Sequence, residues 1–352
     1  MAEPWSSLYR CADHQQPPRV LVLAELGVNH NGQLEQALAL VHAAAGAGAD
    51  AVKLQLFDPR HLLSQQAMLA DYQRQAGAAD PFAMLDELKL SLADMQRVAR
   101  EARDCNLSLV VTPFSPEDVE TLKALAVDAV KIASPDAVNP PLLKAVAALQ
   151  KPMLVSTGTC EVDELEWVAG LLKRHEPGGI LLQCVSSYPT KMDKAGLGGM
   201  AVLRERFALP VGATRITPRR SSPGALATAA GACVLEKHLT LDVHADGPDH
   251  AASLDPVHFS HYVDLVRQAE AAWGALRKNC QEVEREVRLV SRQSVCAKRD
   301  LPAGHKLTGD DLTVRRPGTG IPAKQMDMLL GHRLVRAVAA GVLLQLNDLE
   351  NF

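Results

Sequence analysis

Two lysines, Lys53 and Lys131, stand inside short apolar runs, where an ammonium group is costly to bury unless an anion meets it. Glu25 lies near the end of another such run. Glu236 and His238 alternate on a fourth, so those two side chains share one strand face and Lys237 points to the other. Hydroxyls mark the ends of further runs at Thr112, Ser134, Ser156 and Thr214. Ser186 and Tyr188 follow one more, and Asp249 lies in the turn Gly247-Pro248-Asp249-His250. Taken singly, each lysine reads equally well as half of a structural pair with Glu25 or Glu236, His238 as a structural histidine, and Asp249 as a loop or cap residue. Taken together, two cations and several hydroxyl donors make a cradle for phosphate or carboxylate. Beside them, carboxylates and an imidazole offer acid, base or metal-ligand chemistry.

These residues need a scaffold that gathers strand ends. Eight β-rich runs, Val20–Leu26, Ala51–Leu56, Leu107–Thr112, Ala129–Ser134, Met153–Ser156, Ile180–Val185, Val211–Thr214 and Cys233–His238, alternate with amphipathic helical stretches. Little alternation within the runs indicates burial on both faces, and helical crossovers imply parallel strands. The pattern predicts an α/β fold, a (β/α)8 TIM barrel, whose active site lies at the carboxyl ends of the strands. A doubly wound sheet would carry a glycine-rich phosphate turn after its first strand. This chain instead reads Glu25-Leu26-Gly27-Val28-Asn29-His30-Asn31-Gly32. Helices are expected at Leu34 to Ala47 and after the N-cap Ser115-Pro116. The long connection Asp58 to Ser91 reads as a loop covering one mouth.

The 352 residues suit about two domains. The reading places an N-terminal extension at 1–19, the barrel at 20–275, a linker at 276–292 and a small β-rich domain at 293–352, with helix running from Pro256 to about Val287. No repeat beyond the β/α alternation is evident. A net charge of −4 leaves no basic field for nucleic acid or an anionic membrane. No apolar run is long enough to span a bilayer, and no leader is evident, so a cytoplasmic protein is expected. Seven cysteines without a CxxC pair read as buried small apolar residues rather than a disulfide or zinc framework.

In order along the chain, Ala24 to Gly32, Gly46 to Gln55, Thr112-Pro113-Phe114, Lys131-Ile132-Ala133-Ser134, Ser156-Thr157-Gly158, Glu236-Lys237-His238-Leu239-Thr240 and Gly247-Pro248-Asp249-His250 resemble the sialic acid synthase family. That family includes synthases of N-acetylneuraminic, pseudaminic and legionaminic acids. Ala297-Lys298-Arg299-Asp300 and Arg316-Pro317-Gly318-Thr319-Gly320-Ile321 resemble its C-terminal antifreeze-like (SAF) module. The resemblance implies condensation of phosphoenolpyruvate with an open-chain N-acyl-mannosamine-type sugar, with release of phosphate. It implies that Lys53, Thr112, Lys131, Ser134, Ser156, Ser186 and Thr214 hold phosphoenolpyruvate. It further implies that Glu25, Tyr188, Glu236 and Asp249 contact the sugar or the attacking water, and that Arg316 reaches the N-acyl group from a partner subunit in a domain-swapped homodimer.

The family also binds a divalent metal, Mn2+ or Mg2+, through two histidines, one matching His238. Where the second is expected, the chain reads Thr214-Arg215-Ile216-Thr217, and Ile216 has no ligand atom. Pro135 replaces a usual glycine, and Ser186 takes a position that is asparagine in some members. Three readings follow. The synthase manages without the metal, with Arg215 or Arg219 polarising the aldehyde. Alternatively, His244 or Asp249 completes a metal site with His238. Finally, the chain is a catalytically impaired homologue that binds phosphoenolpyruvate or a nonulosonate in a regulatory or assembly role. Retention of charged positions from Glu25 to Arg316 favours an enzyme.

Overall fold

A computed structural model describes residue 5 and residues 19–66, 80–186, 190–214, 222–274 and 278–350. Its contacts divide the chain into two units, Met1–Leu276 and Arg277–Phe352.

The first unit is a closed parallel barrel in the order β1 to β8: Leu21–Gly27, Ala51–Leu56, Ser108–Pro113, Ala129–Ile132, Met153–Ser156, Gly179–Gln183, Val211–Thr214 and Val234–His238. Helices α1 (Leu34–Gly46), α2 (Pro59–Leu62), α3 (Pro81–Leu88) and α4 (Leu92–Asp104) belong to its first half. The period-two geometry of a strand explains the layering inside. Leu21 and Leu23 of β1 pack with Ala51, Val110, Ala129, Leu154, Ile180, Leu182 and Val234 into one buried cluster, which Trp5 joins. Their alternates, such as Val22, Ala24, Val52 and Val111, join the larger core containing Leu40, Val98 and Phe259 from the surrounding helices. One step further towards the carboxyl ends, the inward positions become Glu25, Lys53, Thr112, Lys131, Ser156, Thr214 and Glu236, all buried. The polar layer therefore rests on an apolar one.

Helix signals act as the sequence predicts at several points. Ser115 accepts a hydrogen bond from Asp118 N at 3.0 Å, with Pro116 opening the helix behind it. The connection 58–91 is not simply a loop. Asp58 and Asp80 each cap a proline-started helix, α2 and α3, and Ser91 caps α4 through Asp94 N. Within it, residues 67–79 lie outside the described residues. The helix begun at Pro256 stops at Trp273, where Gly274 takes φ 63°, so it does not reach Val287. A separate helix covers Arg285–Ser291. Cysteine burial is mixed: Cys184, Cys233 and Cys296 are buried, whereas Cys105, Cys160 and Cys280 are partly exposed.

The second unit holds the antiparallel pair β9 (Ser294–Ala297) and β10 (Leu312–Arg315) around its own core of Val295, Leu301, Leu307, Leu344 and Leu349. It also contains a repeat that the sequence reading missed. Arg299 Nη2 donates to Asp311 at 2.6 Å, and Arg336 Nε donates to Asp348. Asp311 accepts Thr308 N at 2.9 Å, and Asp348 accepts Gln345 N at 2.8 Å. Gly304 and Gly341 turn with φ 76° and 81°. The two halves exchange backbone bonds, Leu301 N to Val338 O at 2.8 Å and Val338 N to Leu301 O at 2.9 Å. The halves share Arg299/Arg336, Ala303/Ala340, Gly304/Gly341, Leu307/Leu344, Asp311/Asp348 and Leu312/Leu349 at one constant offset, so the duplication is also written in the sequence.

Candidate active site

A cavity of about 490 Å3 opens at the carboxyl ends of the barrel strands. On its floor, Lys53 Nζ lies 2.7 Å from Glu25 Oε1 and 3.4 Å from Glu236 Oε1, and Lys131 Nζ lies 3.4 Å from Glu236 Oε2. Lys131 Nζ also donates to the Ile132 carbonyl at 3.2 Å. Each ammonium group has three N–H donors, so the pairs leave capacity directed at a ligand. Burial alone would raise the Glu236 carboxyl, but Lys131, Lys53, the Thr214 hydroxyl and His238 hold it well below the usual carboxylate range. Burial pushes the Lys131 ammonium down, with Glu236 opposing. Each charge solvates the other where water cannot.

Hydroxyls complete the floor. Thr112 Oγ1 and Ser156 Oγ are buried without a hydrogen-bond partner among the described residues, and both line the cavity. Ser134 Oγ accepts Gly158 N at 3.1 Å and shares a 3.1 Å contact with Cys184 Sγ. Ser186 lines the cavity from beyond β6. A side chain at Gly158 would meet Ser186 Oγ at 2.4 Å and Cys184 Sγ at 2.6 Å, so this turn requires glycine for close approach. Gly27, with φ 51°, sits at an irregularity in the β1–β2 register, where a Cβ would lie 2.8 Å from Glu25 Oε1.

His238 ends β8 beside Glu25, its register partner on β1, and its Nε2 lies 3.6 Å from Asp249 Oδ2. The loop that carries Asp249 is fastened by neighbours from the Asn29-His30-Asn31 segment. Asn29 Nδ2 donates to Leu239 O and Ser253 Oγ, both at 2.8 Å, and Ser253 Oγ donates to the Asp249 carbonyl at 2.6 Å. His250 bridges Thr240 Oγ1 at 2.7 Å and Asn31 Oδ1 at 3.1 Å. These motif residues therefore position the loop. An apolar wall faces the polar floor, where Phe57, Leu62, Met84, Leu85, Leu88 and Phe114 pack together and line the same cavity.

Lys53, Thr112, Lys131, Ser134, Ser156, Ser186, Thr214, Glu236 and Asp249 are thus brought to one cavity, with Glu25 in contact through Lys53. Tyr188 and Arg215 lie outside the described residues, as do Ile216 and Arg219. Arg316 is exposed in the second unit, and His244 is exposed in the loop after β8. Gln55, a polar strand-end residue that the sequence reading expects at the mouth, and Cys184, which it takes for an apolar filler, also line the cavity. Gln55 Nε2 donates to Glu25 Oε1 at 3.0 Å, and Cys184 touches Ser134. Gln55 is two positions after Lys53 and so shares its strand face. The donors do not reproduce the two-histidine metal site that the resemblance implies. Ile216 supplies no atom, and the Asp249 carboxylate lies beside His238. A different group, His42, Glu101 and Cys105, brings three potential ligand atoms within 4.8 Å of one another outside the cavity.

A model of the NeuB family matches residues 40–278, and one of the SAF domain matches residues 292–350. The chain is 34% identical to N,N'-diacetyllegionaminic acid synthase of Legionella pneumophila, over 94% of each chain. It is 35% identical to the Campylobacter jejuni protein of the same name, over 89% of this chain and 95% of that one. The structure of a spore coat polysaccharide biosynthesis protein E from Chromobacterium violaceum superposes with a TM-score of 0.81 at 25% identity, covering 94% of this chain and 99% of that one. With this cavity at the mouth of its barrel, the chain belongs to the NeuB family, that of the legionaminic, pseudaminic and sialic acid synthases, and carries a SAF domain at its carboxyl end.

Proposed function

We propose that the protein condenses phosphoenolpyruvate with an open-chain N-acyl hexosamine, forming a C–C bond and releasing phosphate. The observation that carries this reading is the cavity floor. Two buried ammonium groups and two unpartnered buried hydroxyls converge there, a donor set suited to a ligand carrying both phosphate and carboxylate. In this reading Lys53, Lys131, Ser134, Ser156, Thr112, Ser186 and Thr214 hold phosphoenolpyruvate. Its methylene carbon attacks the sugar aldehyde, and positive charge develops at the carbon bearing the phosphate. Glu25, placed by Lys53 and Gln55, directs water to that carbon, and collapse of the adduct expels phosphate. Glu236, Asp249 and Tyr188 orient the sugar.

The aldehyde oxygen gains negative charge as the bond forms. In this reading Arg215, next to Thr214 in the sequence, supplies a cation for it. No step is routed through a divalent metal, because the second family ligand is Ile216. The apolar wall of Phe57, Leu62, Met84 and Leu85 favours an acceptor bearing acyl methyl groups, hence a 2,4-diacylamino hexose over N-acetylmannosamine. Arg316 acts from the SAF domain of a second copy on an acyl group, in a homodimer. Phosphate release from phosphoenolpyruvate tests the reading with each sugar in turn. Sugar-dependent release supports a synthase, and binding of phosphoenolpyruvate without release from any acceptor overturns it. A monomer by light scattering removes the role given to Arg316.

A further inference from the structure

Away from the cavity, α1 and α4 pack against each other and bring three different ligand types together. His42 lies one turn before the end of α1. Glu101 and Cys105 are four residues apart at the end of α4, so they share one face of it. His42 Nε2 is 2.9 Å from Glu101 Oε1, and His42 Nδ1 is 3.6 Å from Cys105 Sγ. One donor atom from each residue lies within 4.8 Å of the others. Both helices lead into the amino ends of the strands that follow, β2 and β3, so the trio sits towards the barrel face opposite the cavity mouth.

We propose that His42, Glu101 and Cys105 form a binding site for a borderline-soft divalent cation, zinc above all, which clips α1 to α4. Imidazole, thiolate and carboxylate are the three ligand types zinc accepts, and a water fills the fourth tetrahedral position. Bonds of about 2.1 Å to nitrogen and 2.3 Å to sulfur at a tetrahedral angle separate the two donors by about 3.6 Å. His42 Nδ1 and Cys105 Sγ already stand at that separation. Glu101 is partly exposed on a helix surface and swings from Nε2 to the ion by a rotamer change. The negative ends of two helix dipoles meet at the same place and favour a cation. A thiol ligates zinc as the thiolate, so the ion displaces a proton from Cys105 to water as it binds. Magnesium and calcium, which prefer oxygen ligands throughout, are excluded from this site. Its place at the amino ends of the strands gives the ion a role in stability rather than turnover.

Cobalt(II) titration of the metal-stripped, full-length protein tests this. The expected result is one equivalent of tetrahedral cobalt with a thiolate-to-metal charge-transfer band, displaced by zinc, and a Tm raised by several degrees in zinc. Cys105→Ser abolishes the band and the zinc-dependent rise while leaving the metal-free Tm and phosphate release unchanged. His42→Asn, at an exposed position, does the same should the serine variant fold poorly. His238→Ala keeps both signals. Absence of the band, its survival in Cys105→Ser, or its loss in His238→Ala would each overturn the proposal.

Discussion

Lys131 on β4 and Glu236 on β8 lie four strands apart around an eight-stranded ring, yet Nζ and Oε2 are 3.4 Å apart. The pair crosses the interior of the barrel and, with Lys53 and Glu25, forms a floor in which every charge depends on a charge from another strand. Removing Lys131 therefore leaves Glu236 only Lys53, itself shared with Glu25, as a cation in a dry site. Lys131→Met is expected to cost about 3–5 kcal/mol in urea-induced unfolding. The double variant Lys131→Met with Glu236→Gln is expected to recover most of that stability without recovering phosphate release. Stability recovered together with activity would refute the assignment of Lys131 to the ligand.

Gly158 gives a test confined to one carbon atom. Gly158→Ala pushes a methyl group against Ser186 Oγ and Cys184 Sγ, displacing the Ser186 hydroxyl assigned to phosphoenolpyruvate. Calorimetry should show phosphoenolpyruvate affinity falling at least about tenfold, by analogy with a lost charge-assisted hydrogen bond. Unchanged affinity would place the ligand elsewhere in the cavity.

His30 predicts a pH dependence of stability. Burial pushes its imidazole down from 6.5 to about 4. Between those values the unfolded chain takes up a proton that the folded chain refuses. The stability contributed by the neutral ring is present above about pH 6.5 and is lost as pH falls towards 4, to a total of about 3 kcal/mol. Urea unfolding across this window should show a shallower fall for His30→Gln than for the parent chain.

On the proposed reading, in which Ile216 stands where the resemblance implies a ligand histidine, phosphate release is expected to persist in EDTA. Arg215→Ala should lower kcat by roughly 10²- to 10³-fold, the range found when one donor to a developing oxyanion is removed. Turnover abolished by EDTA, with Arg215→Ala harmless, would return the polarising role to a metal held by His238 and Asp249.

The barrel was legible in the sequence because its strands are buried on both faces and are separated by capped helices, signals local to each segment. Much of the floor was legible for a related reason. Lys53, Lys131 and Glu236 are charged residues in runs that otherwise bury everything, so their cost announced a ligand or a partner. What no local pattern held was the identity of neighbours across strands. Glu25 meets Gln55, and Ser134 meets Cys184, only once the register is fixed. The helices within 58–91 were hidden because each is short and carries its signal in an Asp-Pro cap rather than in periodicity. Cys105 looked like a filler residue because the neighbour that meets its sulfur, His42, is 63 residues away in sequence.

The duplicated half of the second unit has a consequence for how so small a body holds its shape. Each half leaves a row of backbone donors and acceptors unmet, and the other half supplies the row that meets them. A homodimer gains such an arrangement by pairing two identical chains, and then loses it on dilution. Here the two copies are joined by one short stretch of polypeptide. Their association is unimolecular and concentration-independent, and the unit keeps the symmetry of a dimer at the entropic cost of closing a loop.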